Sequence, residues 1–378
     1  MNEYAKGNIE ITAKLKKAMS LCLDCRACTT ACPVGIQTGL AVVHMRAIIE
    51  SQGTKNPIKK VVLENLLLHP NLMKYATVPL RLYQRLGIQK ALRKLGILKP
   101  FPFAIEELEA MLPQYQGEPL TSRIDEVTKA VGEKKMTVGF FLGCAMNLML
   151  PKSSEATINV ISKLGGEIIT PKDAKCCGAP HINEGDEETA RELARFNIDL
   201  FLGKNVDTVF TDCAACGAEL KNYPHLFEND PAYKEKAEIL AAKIKDVSEV
   251  ILELGFNSDM CRPLNDAVVT YDEPCHLRHG QGIKKPPYQI LKMIPGIKFV
   301  KLKESDWCCG SAGTYWMKEK DAAGRILNRK LENIKKIDPD YIITSNPGCL
   351  LQLIKGVRQE NLKAKVIHLT ELLQMALK

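Results

Sequence analysis

A chain of 378 residues, 46% apolar and 25% charged, has the length for two or three globular domains and the composition to fill their cores. Its net charge of +8 permits an acidic partner or an anionic membrane surface but does not require nucleic acid. No apolar run reaches the roughly 18 residues of a membrane span, and the opening MNEYAKGNIEITAKLKK lacks the apolar centre of a signal peptide.

Cysteine is the unusual residue, with fourteen copies. Without an export signal they predict metal ligation rather than disulfides, because the cytosol keeps thiols reduced. The first four form Cys22-x2-Cys25-x2-Cys28-x3-Cys32-Pro33, the ferredoxin run of a [4Fe–4S] cluster. Soft thiolates suit iron, and two-residue gaps let successive side chains converge on one small object. Zinc sites instead show two separated Cys-x2-Cys pairs. In two-cluster ferredoxins the fourth cysteine of a run serves the other cluster. With one run here, Cys32 closes its own cube, or a second run is missing, or the ligand comes from elsewhere. Residues 1–53 are expected to form a helical ferredoxin-type domain, too small to fold without its cluster.

Residues 54–135 read as a helical linker. LENLLLHPNLMKYATVPLRLYQRLGIQKALRKLGILKP is basic, amphipathic and interrupted by proline. It is expected to pack the helical domain onto its neighbour, with contact to a membrane surface or partner as the alternative.

The remaining chain repeats itself, over 136–260 and 261–378. The first copy carries TVGFFLGC (137–144), KCCGAPH (175–181) and DTVFTDCAAC (207–216), and closes with IKDVSEVILEL. The second carries DAVVTYDEPC (266–275), WCCGSAGTYW (307–316) and DYIITSNPGC (340–349), and closes with AKVIHLTELL. TVGFFL, TVFT, AVVTY and YIIT are short apolar runs expected to be buried parallel strands. GDEETARELARFNIDLFL and DAAGRILNRKLENIKKI have helical spacing with charged outer faces. The expected fold class is therefore α/β: two repeated βαβ domains with parallel sheets behind an α-helical N-terminal domain. The cysteines follow strand C-termini, where open α/β sheets place ligand sites. Cys144, Cys176, Cys177, Cys213 and Cys216 form one candidate ligand set. Cys275, Cys308, Cys309 and Cys349 form the other, with Asn346 opposite Cys213. Asparagine is a poor substitute for thiolate on iron, so the two sites are expected to differ; a purely structural role for the paired Cys-Cys-Gly loops is the alternative.

Other features are less specific. Cys261 reads as a buried thiol outside both sets. His181, His276 and His279 flank cysteine loops and are expected to serve loop hydrogen bonding rather than ligation or proton transfer. Trp307 and Trp316 bracket the second Cys-Cys-Gly and are expected to shield it from water. No dinucleotide fingerprint, P-loop or HExxH motif occurs, which puts any flavin on another subunit.

The paired Cys-Cys-Gly motifs resemble the cysteine-rich domain shared by heterodisulfide reductase, anaerobic glycerol-3-phosphate dehydrogenase and the lactate-utilisation iron–sulfur protein. LCLDCRACTTACPVG, PCHLRHGQG and WCCGSAGTY are most similar to the glycolate oxidase iron–sulfur subunit family, across nearly the whole chain. That family usually carries two ferredoxin runs, and this sequence begins just before the second. It is an internal start of a longer protein or a one-run variant whose partner supplies the missing cluster. The resemblance implies iron–sulfur clusters at the repeats, non-cubane by analogy with heterodisulfide reductases.

The function expected is electron transfer within a flavin-dependent 2-hydroxy-acid dehydrogenase. An FAD-containing partner would oxidise glycolate or lactate, and this chain would pass the electrons to a quinone or another carrier. A cytoplasmic location follows, with peripheral contact at the inner face of the membrane as an extension. A catalytic disulfide reductase and a redox-inert zinc scaffold are the competing readings; Asn346 speaks against the first.

Overall fold

A computed structural model describes residues 2–52, 78–79, 82–95 and 116–378. Most of the expected linker lies outside the described residues; within it, Ile88–Leu95 is helical.

The two repeats build two sheets of matching topology. Strands β1 (Val127–Thr128), β2 (Met136–Phe140), β3 (Gly166–Ile169), β4 (Thr208–Thr211) and β5 (Ile244–Asp246) form the first, ordered β1-β3-β2-β4-β5. All pairings in it are parallel except β1 with β3. Strands β6 (Ala267–Tyr271), β7 (Ile297–Phe299), β8 (Tyr341–Thr344) and β9 (Lys365–His368) form the second, ordered β7-β6-β8-β9 and wholly parallel. In each, the second strand of the repeat lies on one side of the first and the third on the other. The strand order thus reverses between β2 and β4, and between β6 and β8, which opens a crevice at the strand C-termini.

Burial on both faces explains the uninterrupted apolar strands. Phe140 and Phe210, neighbours across β2 and β4, are fully buried and stack at 4.8 Å between ring centroids. Helix starts are written in proline: Pro151, Pro231, Pro286 and Pro347 each open a helix, where a missing N–H costs nothing.

Each repeat ends on a capped helix that crosses to the other repeat. Asp246 with Glu249, and His368 with Glu371, form reciprocal capping boxes at corresponding positions. Val247–Glu253 then packs on Pro286–Met293 of the second repeat, and Leu369–Ala376 packs on Pro151–Lys163 of the first. Ser153 donates to Glu371 at 2.6 Å across this junction. One apolar core consequently runs through both repeats, with Ile161, Val250, Ile290 and Leu372 fully buried in it.

Ahead of the repeats, helices Ala13–Ser20, Ala27–Ala31 and Thr38–Ser51 form the N-terminal segment. It rests on both repeats. Arg46 donates to the Asn183 carbonyl at 3.1 Å, and Lys17 and Ser20 reach Glu319 at 2.6 and 2.9 Å.

Candidate metal-cluster sites

The thiols of each repeat gather at the C-terminal ends of the strands. Cys144 follows β2 and opens helix Cys144–Met149. Cys213 follows β4 as the N-cap of Ala214–Leu226, and its sulfur accepts from the Cys216 amide at 3.3 Å. Cys176 and Cys177 lie in the loop after β3. The sulfurs of Cys144 and Cys176 are 3.7 Å apart. In the second repeat Cys275 follows β6, Cys308 and Cys309 follow β7, and Cys349 sits in the first turn after β8. Cys309 and Cys349 sulfurs are 3.4 Å apart.

The glycine of each Cys-Cys-Gly is structural. Gly178 and Gly310 have φ of 93° and 85°, in the left-handed region. A Cβ on Gly310 would lie 2.7 Å from the Ala323 carbonyl oxygen. Only glycine turns the loop so tightly that adjacent cysteines face one point.

The donor set fits an iron–sulfur group. All fourteen cysteines are free thiols, and Cys176, Cys177, Cys213, Cys216, Cys309 and Cys349 are buried. Hydrogen bonding to Cys176, and then burial, hold the Cys144 thiol far above its ordinary value. Cys177 and Cys213, together with burial, do the same to Cys216. Hydrogen bonds from Cys176 and Cys216 draw Cys177 down to about 7. Cys308 is pulled well down, by Cys275 first and then Cys309, while Cys275 and Cys309 are pushed up. Such a crowd of sulfurs resists becoming thiolate together unless a strong positive charge enters among them, and a cluster's iron supplies that charge. Among the described residues no trio of His, Cys, Asp or Glu forms a ready single-ion site.

The N-terminal run is bent by two left-handed residues, Asp24 (φ 50°) and Arg26 (φ 61°). These two form a buried ion pair at 2.6 Å. Cys22 accepts from the Asp24 amide and Cys32 from the Ile36 amide, each at 3.4 Å, and that N–H leads the lowering of the Cys32 thiol. Cys28 is exposed. Burial pushes Cys25 up to about 11, and Cys308 of the second repeat leads the neighbouring thiols that add to the effect, ahead of Cys22 and Cys28. The run lies against the turn that follows Cys275, where Thr30 meets His279 at 3.0 Å and Asp24 meets His276 at 4.0 Å. Sequence spacing carried no signal of this.

Asn346 was legible as a missing thiol but not as a bridge. Its side-chain oxygen accepts from the Ala215 amide at 3.1 Å and lies 3.9 Å from the Cys213 sulfur, while its amide donates to Cys349 at 3.6 Å. One carboxamide therefore touches both thiol sets.

The accessory residues divide. His276 has Nδ1 3.5 Å from Cys275 Sγ, and His279 has Nδ1 3.0 Å from Thr30 Oγ1, so both serve loop contacts. His181 is fully buried at the start of Ala179–Glu184. Cys261 is buried beside Leu377, with which it forms an isolated bridge. Trp316 packs on the core as a shield should, but Trp307 is 37% exposed under the Arg329 guanidinium. Trp307 is thus a weaker shield than expected, with part of its surface open to solvent and the Arg329 guanidinium over its ring.

Comparison with known proteins agrees with this architecture. The family model "Cysteine-rich domain" matches residues 138–221 and again 269–354, which makes this a protein of the paired cysteine-rich-domain class. The model "Glycolate oxidase iron-sulfur subunit, linker region" matches 54–112. A probable glycolate oxidase iron–sulfur subunit of Bacillus subtilis is 37% identical over 99% of this chain and 85% of its own. The glycolate oxidase iron–sulfur subunit of Escherichia coli is 28% identical over 100% of this chain and 86% of its own. Lactate utilization protein A of a Geobacillus species is 30% identical over 63% of this chain and 99% of its own. The chain belongs to the glycolate oxidase iron–sulfur subunit family: it is an oxidoreductase subunit that carries iron–sulfur clusters.

Proposed function

We propose that this chain is the electron-transfer subunit of a flavin-dependent 2-hydroxy-acid dehydrogenase, taking electrons from an FAD-containing partner and passing them to a quinone or another carrier. In this reading residues 1–53 form a ferredoxin-type domain in which Cys22, Cys25, Cys28 and Cys32 hold a [4Fe–4S] cluster. Residues 54–135 are the linker. The first cysteine-rich domain, 136–260, holds a cluster on Cys144, Cys176, Cys177, Cys213 and Cys216. The second, 261–378, holds one on Cys275, Cys308, Cys309 and Cys349. The clusters supply one-electron redox chemistry. The protein's part is to hold them close, exclude water and set their potentials through burial and N–H···S contacts. A cytoplasmic place of work, with peripheral contact at the membrane's inner face, suits this role; among the described residues no helix is long and apolar enough to cross a membrane.

The observation that carries the proposal is adjacency. Thr30 and Asp24 of the N-terminal run meet His279 and His276 of the turn after Cys275, at 3.0 and 4.0 Å, and Asn346 joins Cys213 to Cys349. Three thiol sets linked in series in this way suit relay better than three isolated structural metals would. The test is iron and labile sulfide per chain after strictly anaerobic purification. About eight irons or more are expected, from four-iron clusters; protein free of iron would overturn the reading.

A further inference from the structure

Residues that flank all three thiol sets in sequence meet at one cleft. Arg26 and Thr29 of the N-terminal run, Ala218 and Glu219 of the helix after Cys216, and His276 and His279 of the turn after Cys275 line a cavity of about 140 Å³. A larger cavity of about 870 Å³ adjoins it, with Arg26, Leu40, Glu219 and Asn222 on the common wall.

Glu219 is the unexplained group. It is 7% exposed and makes no hydrogen bond or ion pair among the described residues, yet it lines both cavities. Burial pushes its carboxyl up to about 7 against the pull of Arg26, so near neutral pH about half of the population carries a donor proton. A lone carboxylic acid facing a cavity lacks an acceptor.

The surrounding charges narrow the ligand. Every Arg and His lining either cavity already has a partner: Arg26 has Asp24, His44 and Arg191 have Glu187, Arg195 has Asp230, and His225 has Glu228. His276 faces Asp24, and His279 faces Thr30 and Asp306. Among the described residues no lining cation is left for an anion. The open requirement is a neutral molecule with a carbonyl oxygen for Glu219 and an apolar face for Leu40 and Ala218. Cavities of about 150 Å³ accept a single six-membered ring. The cleft's walls carry Arg26 and Thr29 beside Cys25 and Cys28, Glu219 one turn after Cys216, and His276 next to Cys275, so such a molecule lies near all three thiol sets.

We propose that this cleft binds the electron acceptor, that the acceptor is a quinone, and that Glu219 donates a hydrogen bond to one of its carbonyl oxygens. The proposal rests on the electron-transfer reading above. Reduction adds two electrons and two protons to the quinone and yields the quinol. The electrons originate in the hydroxy acid oxidised on the partner subunit. Glu219 delivers one proton and recovers it from solvent through the larger cavity, by which the second proton also enters.

The test is equilibrium binding of tetramethyl-1,4-benzoquinone, which has no open ring carbon for thiols to attack, to the anaerobically purified chain. Glu219→Leu is expected to weaken binding about tenfold, the worth of one hydrogen bond to a buried group. Glu219→Gln, which keeps a donor, should stay near the unmodified protein. Leu40→Trp should abolish binding by filling the cleft, with iron content as the check on folding. Absence of binding, or unchanged affinity in both Glu219→Leu and Leu40→Trp, would overturn the proposal. Ferricyanide, which needs no cleft, separates the two readings. If it reoxidises the dithionite-reduced chain while the quinone does not bind, only the cleft assignment fails; if reduced iron passes no electron to ferricyanide, the electron-transfer reading fails as well.

Discussion

Asn346 shows how one side chain can join two thiol sets. Its oxygen is held by the Ala215 amide of the first repeat, which aims its NH2 group at Cys349 of the second. An N–H···S contact withdraws charge from a thiolate and favours the reduced form of whatever that thiolate holds. Asn346→Ala is therefore expected to move the second site's midpoint potential negative, read by redox titration followed with electron paramagnetic resonance, while iron per chain stays constant. An unchanged potential would reduce Asn346 to a spacer. At this scale the thiols were legible, because Cys-Cys-Gly and Cys-x2-Cys are local patterns. Glu219 and the bridging role of Asn346 were not, because nothing in AACGAEL or SNPGC says what lies opposite.

Between elements, the second repeat relies on a buried ion pair. Lys330, on helix Lys320–Lys335, bonds Asp272 just beyond β6, with both side chains 1% exposed. Lys330 also donates to the Ser305 carbonyl at 3.0 Å, and Asp272 accepts from Thr344 at 2.9 Å. Removing one partner strands the other charge. Lys330→Met should cost about 3–5 kcal/mol in denaturant unfolding, and Lys330→Met with Asp272→Leu should recover most of it. A double variant no more stable than the single would argue against this account. The strands expected at AVVTY, TVFT and YIIT coincide with β6, β4 and β8, since apolar runs bounded by turns mark buried parallel strands. The π-turn His276–Gly280 escaped such reading. Its backbone follows from packing around the Cys275 loop, not from any period in HLRHG.

Across the whole molecule, Arg46 fastens the N-terminal segment. It reaches the Met19 carbonyl at 2.9 Å, the Cys22 carbonyl at 2.5 Å and the Asn183 carbonyl of the first repeat at 3.1 Å. Gly185 approaches so closely that a Cβ there would sit 2.6 Å from the Arg46 carbonyl oxygen. Arg46→Ala frees the loop that begins the run, and iron should leave to a chelator roughly tenfold faster, given several lost hydrogen bonds to buried carbonyls. An unaltered release rate would mean that the run is held by other contacts.

The sequence by itself determined the repeat, its α/β character and the cysteines that gather in each half, because these follow from strand period, turn residues and short spacings. Tertiary structure decided how the parts face one another. The Asn346–Ala215 contact spans 131 residues and the Arg46–Asn183 contact 137. The exchanged closing helices and the cleft at Glu219 arise from the same long-range packing. Such contacts depend on where whole elements settle around a shared core, and local periodicity does not encode that arrangement.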